Sequence, residues 1–358
     1  MTLFKEFQLG NILLKNRVVM APMTRSRAID NVPNNIMATY YQQRSSAGLI
    51  ITEGVSPSPN GLGYARIPGI FGKDQVEGWK KTTKAVHANN GKIFIQLMHT
   101  GRVSHPNNMD SEAKVLSPSA IKLSGQMYTD DAGMQDYPVP NEMTFNDIKS
   151  TITEYVIASK NAIEAGFDGV EIHAANGYLP NQFINPISNT RTDNYGGSID
   201  SRNRFVVEIA REISSAIGAD KTGIRLSPYG IFNDMMPFEG IDKAYTKLAT
   251  ELGKLNLVYI HLVDHSSMGA PEVPAAIKQS IKEAFGGTII TSGGLDKTSA
   301  EKHLSEGIGH IAAFGRPFIS NPDLVERLQS DKELAAPNFD LFYTPGESGY
   351  TDYPKLKN

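Results

Sequence analysis

Three polar side chains near residue 175 have the types and the spacing to hold an oxygen that gains negative charge and to donate a proton beside it. His173 ends a short apolar stretch, Asn176 follows three residues later, and Tyr178 follows two residues after that. An imidazole and a carboxamide can both donate hydrogen bonds to one oxygen atom, and two such donors stabilise negative charge that develops on it. A phenol beside them is a candidate proton donor. Each residue alone is as well explained by packing, so the prediction depends on the group.

Two glycine-containing turns late in the chain predict a site for a phosphate group. Gly293-Gly294 and Gly315-Arg316 each follow a short apolar stretch. Glycine lets backbone N–H groups approach an anion closely, and an arginine adds a charged, bidentate contact. The alternative is that the first pair forms only a tight turn and that Arg316 is a surface charge.

Arg225 is a cation within another apolar stretch. A buried arginine needs a negatively charged partner. Glu53 or Glu171 would be a structural partner, and an anionic cofactor would be a functional one. The sequence leaves both possibilities open.

An alternation of apolar stretches and amphipathic helical segments positions these residues. Eight repeats of strand and helix predict an α/β fold with a single (β/α)8 TIM barrel. The predicted strands are 17–22, 48–54, 92–98, 169–173, 223–227, 257–263, 288–292 and 308–314. The predicted helices are 36–46, 76–89, 145–165, 201–217, 244–254, 274–285, 299–306 and 321–329. In such barrels the chemistry lies at the carboxyl ends of the strands, and phosphate often binds after strands seven and eight.

Two segments fall outside the alternation. Residues 1–15 contain two short strand-like stretches around Gly10-Asn11, which predicts a β-hairpin that caps the amino end of the barrel. Residues 103–142, after the third strand, are rich in Ser, Pro, Asn, Gly and Asp. Long loops at this end of a barrel are usually functional, so we expect a lid. No linker divides the chain, and we expect one domain over residues 1–358.

The composition excludes several classes of function. A net charge of −3 gives no general attraction to nucleic acid or to anionic membranes. The chain has no cysteine, which excludes disulfides, thiolate metal sites, iron–sulfur clusters and cysteine nucleophiles. The chain contains no apolar stretch of about 20 residues, so the sequence predicts no membrane span. No secretory leader is visible. We therefore expect a cytoplasmic protein.

Motifs along almost the whole chain resemble those of one enzyme family. They are Asn16-Arg17-Val18, Ala21-Pro22-Met23-Thr24-Arg25, Gln96-Leu97-Met98-His99-Thr100-Gly101-Arg102, Gly169-Val170-Glu171-Ile172-His173, Asn176-Gly177-Tyr178-Leu179, Arg191-Thr192-Asp193, Tyr195-Gly196-Gly197-Ser198 and Ala313-Phe314-Gly315-Arg316-Pro317. The combination resembles the Old Yellow Enzyme family of FMN-dependent ene-reductases. It is most similar to the bacterial branch of N-ethylmaleimide and nitrate-ester reductases.

This resemblance implies a non-covalent FMN at the barrel mouth. Thr24 would hydrogen-bond the flavin O4, Gln96 would bind the pyrimidine end, and Arg225 would lie near N1 and C2=O. The full set of implied cofactor-binding residues is Pro22, Met23, Thr24, Gly54, Gln96, Arg225, Gly293, Gly294, Gly315 and Arg316.

The resemblance also implies a reaction. NADPH or NADH would reduce the flavin, and an activated alkene would then bind in the same place. His173 and Asn176 would hold its carbonyl or nitro oxygen while hydride passes from the flavin N5 to Cβ, and Tyr178 would protonate Cα. The substrates implied are α,β-unsaturated carbonyl compounds, maleimides and nitroalkenes, with nitro or nitrate-ester reduction left open.

Further residues are candidates for the substrate pocket. They are Tyr64, Met98, Phe232 and Tyr343, of which each aromatic is equally well explained as a core residue. Met98 stands where many family members have tryptophan, so the pocket floor is open to other substrate shapes. One branch of the family has cysteine at Thr24 and builds its site across a dimer. We therefore expect a monomer here, with a dimer as the alternative.

Three other functions compete with this prediction. A metal-dependent barrel hydrolase would use His99, His105 and His173, but the strand ends lack the clustered carboxylates and histidines that such sites need. A barrel that binds flavin or another phosphate ligand without turnover would not need the proton donor Tyr178. A Schiff-base aldolase is disfavoured because no lysine ends a predicted strand.

Overall fold

A computed structural model describes residues 1–356 and contains a closed barrel of eight parallel strands. Barrel strands one to eight, in chain order, are Val18–Met20, Leu49–Val55, Ile93–Leu97, Gly169–Ala174, Thr222–Leu226, Tyr259–Val263, Thr288–Ser292 and Ile311–Phe314. Consecutive strands are hydrogen-bonded neighbours, and strand eight closes the barrel by pairing with strand one. The predicted α/β barrel is therefore confirmed.

The barrel strands are buried along nearly their whole length because helices cover their outer faces. The helices are Asn35–Gln43, Lys73–His87, Phe145–Glu164, Leu179–Ile184, Ile199–Ile217, Ile241–Lys254, Ala275–Phe285, Lys297–Ser305, Arg316–Ser320 and Leu324–Gln329. Local signals fix their ends. At the start of the helix Phe145–Glu164, the Thr144 hydroxyl accepts from the Asp147 N–H, and the Asp147 side chain accepts from the Thr144 N–H.

The amino-terminal hairpin lies at the amino end of the barrel, as predicted. Its strands are Phe7–Leu9 and Ile12–Leu14, and Gly10 takes the positive φ of +53° that the turn needs. The Asn11 side chain donates to Asp220, just before barrel strand five, at 2.7 Å. This contact holds the hairpin against the end of the barrel opposite the predicted site.

The predicted lid, residues 103–142, is more ordered than a plain loop. It contains an antiparallel hairpin, Gln126–Thr129 with Gly133–Asp136, and a short parallel pair, Leu116–Ser117 with Asn141–Glu142. The prediction of one domain over residues 1–358 stays a prediction, and its last two positions lie outside the described residues.

Within residues 1–356, none of the helices has both the length and the apolar character needed to cross a bilayer.

Candidate active site

His173 and Tyr178 come together at the carboxyl end of barrel strand four. His173 lies in the strand and Tyr178 begins the short helix after it, so the turn between them brings their rings to 4.7 Å in an edge-on arrangement. The Ala175 N–H donates to Nδ1 of His173 at 3.3 Å. Burial, and next the nearby Arg225, lower the pKa of His173 well below its ordinary value. The neutral ring therefore carries its hydrogen on Nε2, as a donor.

Asn176 lies in the same turn, in the left-handed conformation with φ of +59°. Its backbone N–H donates to the Ser227 hydroxyl at 2.8 Å, and its carbonyl accepts from the Asn233 amide at 2.7 Å. Its side-chain Oδ1 lies 2.7 Å from Nε2 of His265, which leaves the amide NH2 to donate to a ligand. Sequence reasoning missed His265, although it directly follows Asp264 at the end of barrel strand six.

Tyr178 and Tyr64 form a pair of phenols beside this turn. Their hydroxyl oxygens are 3.0 Å apart, and either group can be the donor. Burial raises the pKa of Tyr178 to about 12 and that of Tyr64 well above its ordinary value, so both keep their protons at neutral pH. Both rings pack against the buried cluster of Leu62, Ile67 and Met98, so the predicted proton donor and two predicted pocket residues form one wall.

The lid covers this wall. Its buried residues Val103, Leu123 and Met127 form a cluster against which Tyr64 and Tyr178 pack. The long loop predicted to be functional thus contacts the predicted proton donor.

A buried polar network fills the barrel beneath these residues. One oxygen of Glu171 accepts from the Gln96 side-chain NH2 at 2.7 Å, and the other lies 2.9 Å from Nδ1 of His261. His261 also contacts the Ser292 hydroxyl at 2.9 Å. Since Glu171 takes the NH2 of Gln96, the amide oxygen of Gln96 is left to accept from a ligand.

Arg225 pairs in register with His173 on one side and with His261 on the other. Burial lowers its pKa, and the charge of Glu171 opposes that effect. Of the two acidic partners considered from the sequence, Glu171 is therefore the one near it. Nε of Arg225 is buried without a hydrogen-bond partner among the described residues. A buried donor of this kind is usually satisfied, which favours an anionic or polar ligand at this point.

The glycine turns meet at the ends of the adjacent strands seven and eight. Gly293 has φ of +131° and Gly294 of +67°, and a Cβ on Gly293 would lie 1.9 Å from the Asp264 carbonyl oxygen. Gly315 approaches Met23, whose sulfur would lie 3.6 Å from a Cβ at that position. A Cβ on Gly54 would lie 2.4 Å from the sulfur of Met98. A side chain at Gly293 or Gly54 would therefore collide with neighbouring protein atoms, so these two positions require glycine.

The remaining predicted residues lie outside the hydrogen-bonded groups described above. Pro22, two residues after strand one, is buried, and Thr24 is half-buried. Phe232 packs edge-on against His265 at 4.6 Å. Arg316 is exposed, with its guanidinium 5.7 Å from the ring centre of Phe339.

Tyr343 is 60% exposed, and its electrostatic interaction contributes to the raised pKa of both Tyr64 and Tyr178, so it lies near these two phenols.

The histidines of the rival hydrolase do not form a metal site. Nδ1 of His99 accepts from the Gly101 N–H, and Nδ1 of His105 accepts from the Asn107 N–H. Across residues 1–356 no group of three or more histidine, aspartate or glutamate side chains is placed to hold a metal ion.

A family profile described as "NADH:flavin oxidoreductase / NADH oxidase family" matches residues 2–335 of the chain. Among curated proteins, the chain is 38% identical to a putative 12-oxophytodienoate reductase 11 of Oryza sativa subsp. japonica, over 99% of this chain and 97% of that protein. It is also 38% identical to a probable flavin mononucleotide-dependent alkene reductase of Leishmania infantum, over 98% and 97%.

Among solved structures, the chain is similar to morphinone reductase in complex with tetrahydroNAD. The TM-score is 0.95 at 39% identity, and the match covers 100% of this chain and 98% of that chain.

Proposed function

Since the chain belongs to the NADH:flavin oxidoreductase / NADH oxidase family, that of the Old Yellow Enzymes, we propose that it is an FMN-dependent ene-reductase. It uses NADH or NADPH to reduce activated C=C bonds. One observation carries the proposal: two hydrogen-bond donors, on His173 and Asn176, and a protonated phenol, on Tyr178, share one turn at the barrel mouth.

The residues at the barrel mouth fit FMN. Arg225 offers a buried cation with an unsatisfied N–H, as a flavin that gains negative charge on reduction requires. Thr24, Gln96, Pro22, Met23 and the backbone of Gly54 would hold the ring system. The phosphate would bind at Gly293, Gly294, Gly315 and Arg316. Bound FMN supplies the chemistry that the side chains lack, since it takes hydride from a nicotinamide and gives it to an alkene.

The side chains bind and polarise the alkene. Nε2–H of His173 and the NH2 of Asn176 donate to its carbonyl or nitro oxygen, on which negative charge grows during reduction. Tyr178 then gives its hydroxyl proton to Cα. Tyr64, 3.0 Å away, is placed to return a proton to Tyr178. Met98, Phe232 and Tyr343 limit the space for the rest of the substrate.

The proposed setting is simple. The partners are small electrophilic alkenes, without nucleic acid or a membrane, and the protein works as a monomer in the cytoplasm. A net charge of −3 supports the absence of nucleic acid and of an anionic membrane among the partners. Light scattering on the purified protein tests the monomer.

The test uses purified holoprotein under anaerobic conditions. We expect a yellow protein that NADPH or NADH bleaches and that 2-cyclohexenone, a maleimide or a nitroalkene turns yellow again. A protein that takes up no FMN contradicts the proposal. A yellow protein that no nicotinamide reduces would instead be the binding barrel without turnover.

A further inference from the structure

The Asn176 carboxamide can face a substrate oxygen in two ways, and only one of them favours the reaction. With its NH2 toward the substrate it donates a hydrogen bond, whereas with Oδ1 toward the substrate it opposes one acceptor with another. The last torsion of an asparagine side chain is broad and roughly two-fold. Some neighbouring group must therefore select the useful orientation.

The backbone of Asn176 does not make this selection. Its N–H is held by Ser227 at 2.8 Å and its carbonyl by Asn233 at 2.7 Å. These contacts fix where the side chain begins but leave its terminal amide able to turn. Among the described residues, the side-chain amide has one hydrogen-bond partner, Nε2 of His265, at 2.7 Å from Oδ1.

His265 is a buried, neutral donor. It follows barrel strand six, is 9% exposed, and packs edge-on against Phe232 with ring centres 4.6 Å apart. Burial, with the nearby charge of Arg225, lowers its pKa to about 4, so the ring is neutral at neutral pH. A neutral imidazole carries one N–H, and because Nε2 faces an oxygen, that hydrogen lies on Nε2.

We propose that His265 is a positioning residue that holds the NH2 of Asn176 toward the substrate oxygen. The inference rests on the proposed function and adds to it a preference for one kind of ligand oxygen. A site oriented in this way favours ligands whose oxygen only accepts hydrogen bonds over ligands that must donate one. His265 thereby links the loop after strand six to an oxygen bound at the end of strand four.

Two variants separate this role from packing. His265→Phe keeps an aromatic ring against Phe232 but cannot donate to Asn176. His265→Gln loses the ring but restores an N–H donor on a side chain of similar reach. Retained flavin colour and an unchanged circular dichroism spectrum establish that each variant is folded.

The readout is the binding of two unreactive probes to the holoprotein, followed through the absorbance of the bound flavin. Cyclohexanone only accepts hydrogen bonds, whereas cyclohexanol can also donate one. We expect His265→Phe to raise the dissociation constant for cyclohexanone by about tenfold, the equivalent of one hydrogen bond, and that for cyclohexanol by less than about twofold. His265→Gln should bring the cyclohexanone value back to within about threefold of the wild type. The kcat/KM for 2-cyclohexenone should follow the same order.

Unchanged cyclohexanone binding in His265→Phe would overturn the inference. An equal loss for both probes would also overturn it, since a merely structural role predicts that result. If the wild type reduces no enone, the proposed function fails by itself. The ratio of the dissociation constants for cyclohexanone and cyclohexanol still reports on the orientation of Asn176.

Discussion

The Tyr178 hydroxyl combines a high pKa with a second phenol in hydrogen-bonding distance. Burial raises its pKa to about 12, so it is a weak acid, and as the proposed donor it would give up its proton only when negative charge builds on the substrate Cα. We expect Tyr178→Phe to slow alkene reduction by about 100-fold or more, the contribution of a general acid. Flavin reduction by the nicotinamide should change by less than about threefold, since that step needs no proton from Tyr178. Rapid mixing measures the two half-reactions separately.

Tyr64→Phe is the matched control. It removes the hydroxyl 3.0 Å from Tyr178 but leaves the proposed donor in place, so we expect a smaller loss in alkene reduction than Tyr178→Phe causes. A wild-type rate that stays flat between pH 7 and pH 10 would agree with a pKa of about 12, because the phenol stays protonated over that range. Equal loss in both half-reactions would remove Tyr178 from the role of proton donor.

The residues of the site differ in how visible they are in the sequence. His173, Asn176 and Tyr178 belong to one short turn, so their spacing alone indicates a joint role. His265 and Tyr64 reach the same place from loops after other strands. Nothing in a single sequence states that His265 points at Asn176 rather than at solvent, because that depends on how the barrel brings strand ends together.

Among the structural elements, the lid hairpin is joined to its neighbours by a contact with Arg66. Its guanidinium pairs with Asp130 at the hairpin turn, donates to the Tyr343 carbonyl at 2.8 Å and donates to the Ser26 carbonyl at 3.1 Å. One side chain thus joins the lid, the carboxyl-terminal segment and the loop after strand one. Two of these elements carry predicted pocket or cofactor residues.

We expect Asp130→Asn to loosen the lid. A partly exposed ion pair contributes up to about 1 kcal/mol, so KM for the alkene should rise by up to about fivefold. Backbone amides of residues 126–136 should exchange hydrogen faster. Asp131→Asn is the control, since Asp131 makes no ion pair in the described part of the chain. Exchange rates that match the wild type would show that Arg66 does not hold the lid.

The turn after strand seven shows why its glycine pair cannot be replaced. A Cβ on Gly293 would lie 1.9 Å from the Asp264 carbonyl oxygen, so the backbone of Gly293→Ala must move. The loss of one backbone donor to the phosphate should raise the dissociation constant for FMN by about tenfold. Gly286→Ala is the control because Gly286 also has a positive φ, of +69°, but nothing lies within 4 Å of its Cβ position. Equal FMN affinity in both variants would contradict a phosphate site at Gly293.

Among the structural elements, the barrel could be predicted from the sequence, whereas the hairpin inside the lid could not. Apolar strand-like stretches and amphipathic helical segments alternate eight times, and each repeat supports the others. The lid hairpin has mixed polar residues on both faces, with Gln126 exposed and Met127 buried but Met134 exposed in the facing strand. Such a short, two-stranded element is held by its contacts with the barrel, and its own sequence carries little signal.

In the molecule as a whole, a buried polar cluster ties the carboxyl-terminal segment to the barrel mouth. Arg25 donates to the carbonyls of Phe342 and Gly349 at 3.1 and 2.7 Å, and the rings of Tyr40 and Tyr350 stack at 4.0 Å. Glu53 lies within this cluster. Its carboxylate accepts from the backbone N–H of Arg25 at 3.3 Å and from the Tyr41 hydroxyl at 3.2 Å.

Glu53 makes the stability of the molecule depend on pH. Burial raises its pKa from 4.5 to about 7, against the opposing effects of the Arg25 and Tyr41 hydrogen bonds and of the Arg25 and Arg27 charges. Between these two values the folded chain holds a proton that the unfolded chain has released. Its contribution is therefore fully present below pH 4.5 and is lost as the pH rises through about 7. The difference corresponds to about 3 kcal/mol.

Glu53→Gln removes this dependence because the amide cannot ionise and resembles the protonated carboxyl group. Between pH 5 and pH 8 we expect Tm of the wild type to fall by about 4 °C more than that of the variant, which is the stability difference divided by the unfolding entropy of a chain of this size. Calorimetry with saturating FMN measures both, and groups that titrate alike in the two proteins cancel in the comparison. The exposed Glu272→Gln should behave as the wild type does. Equal pH dependence of Tm in Glu53→Gln and the wild type would mean that Glu53 is already ionised at pH 5 and that the arginines beside it outweigh its burial.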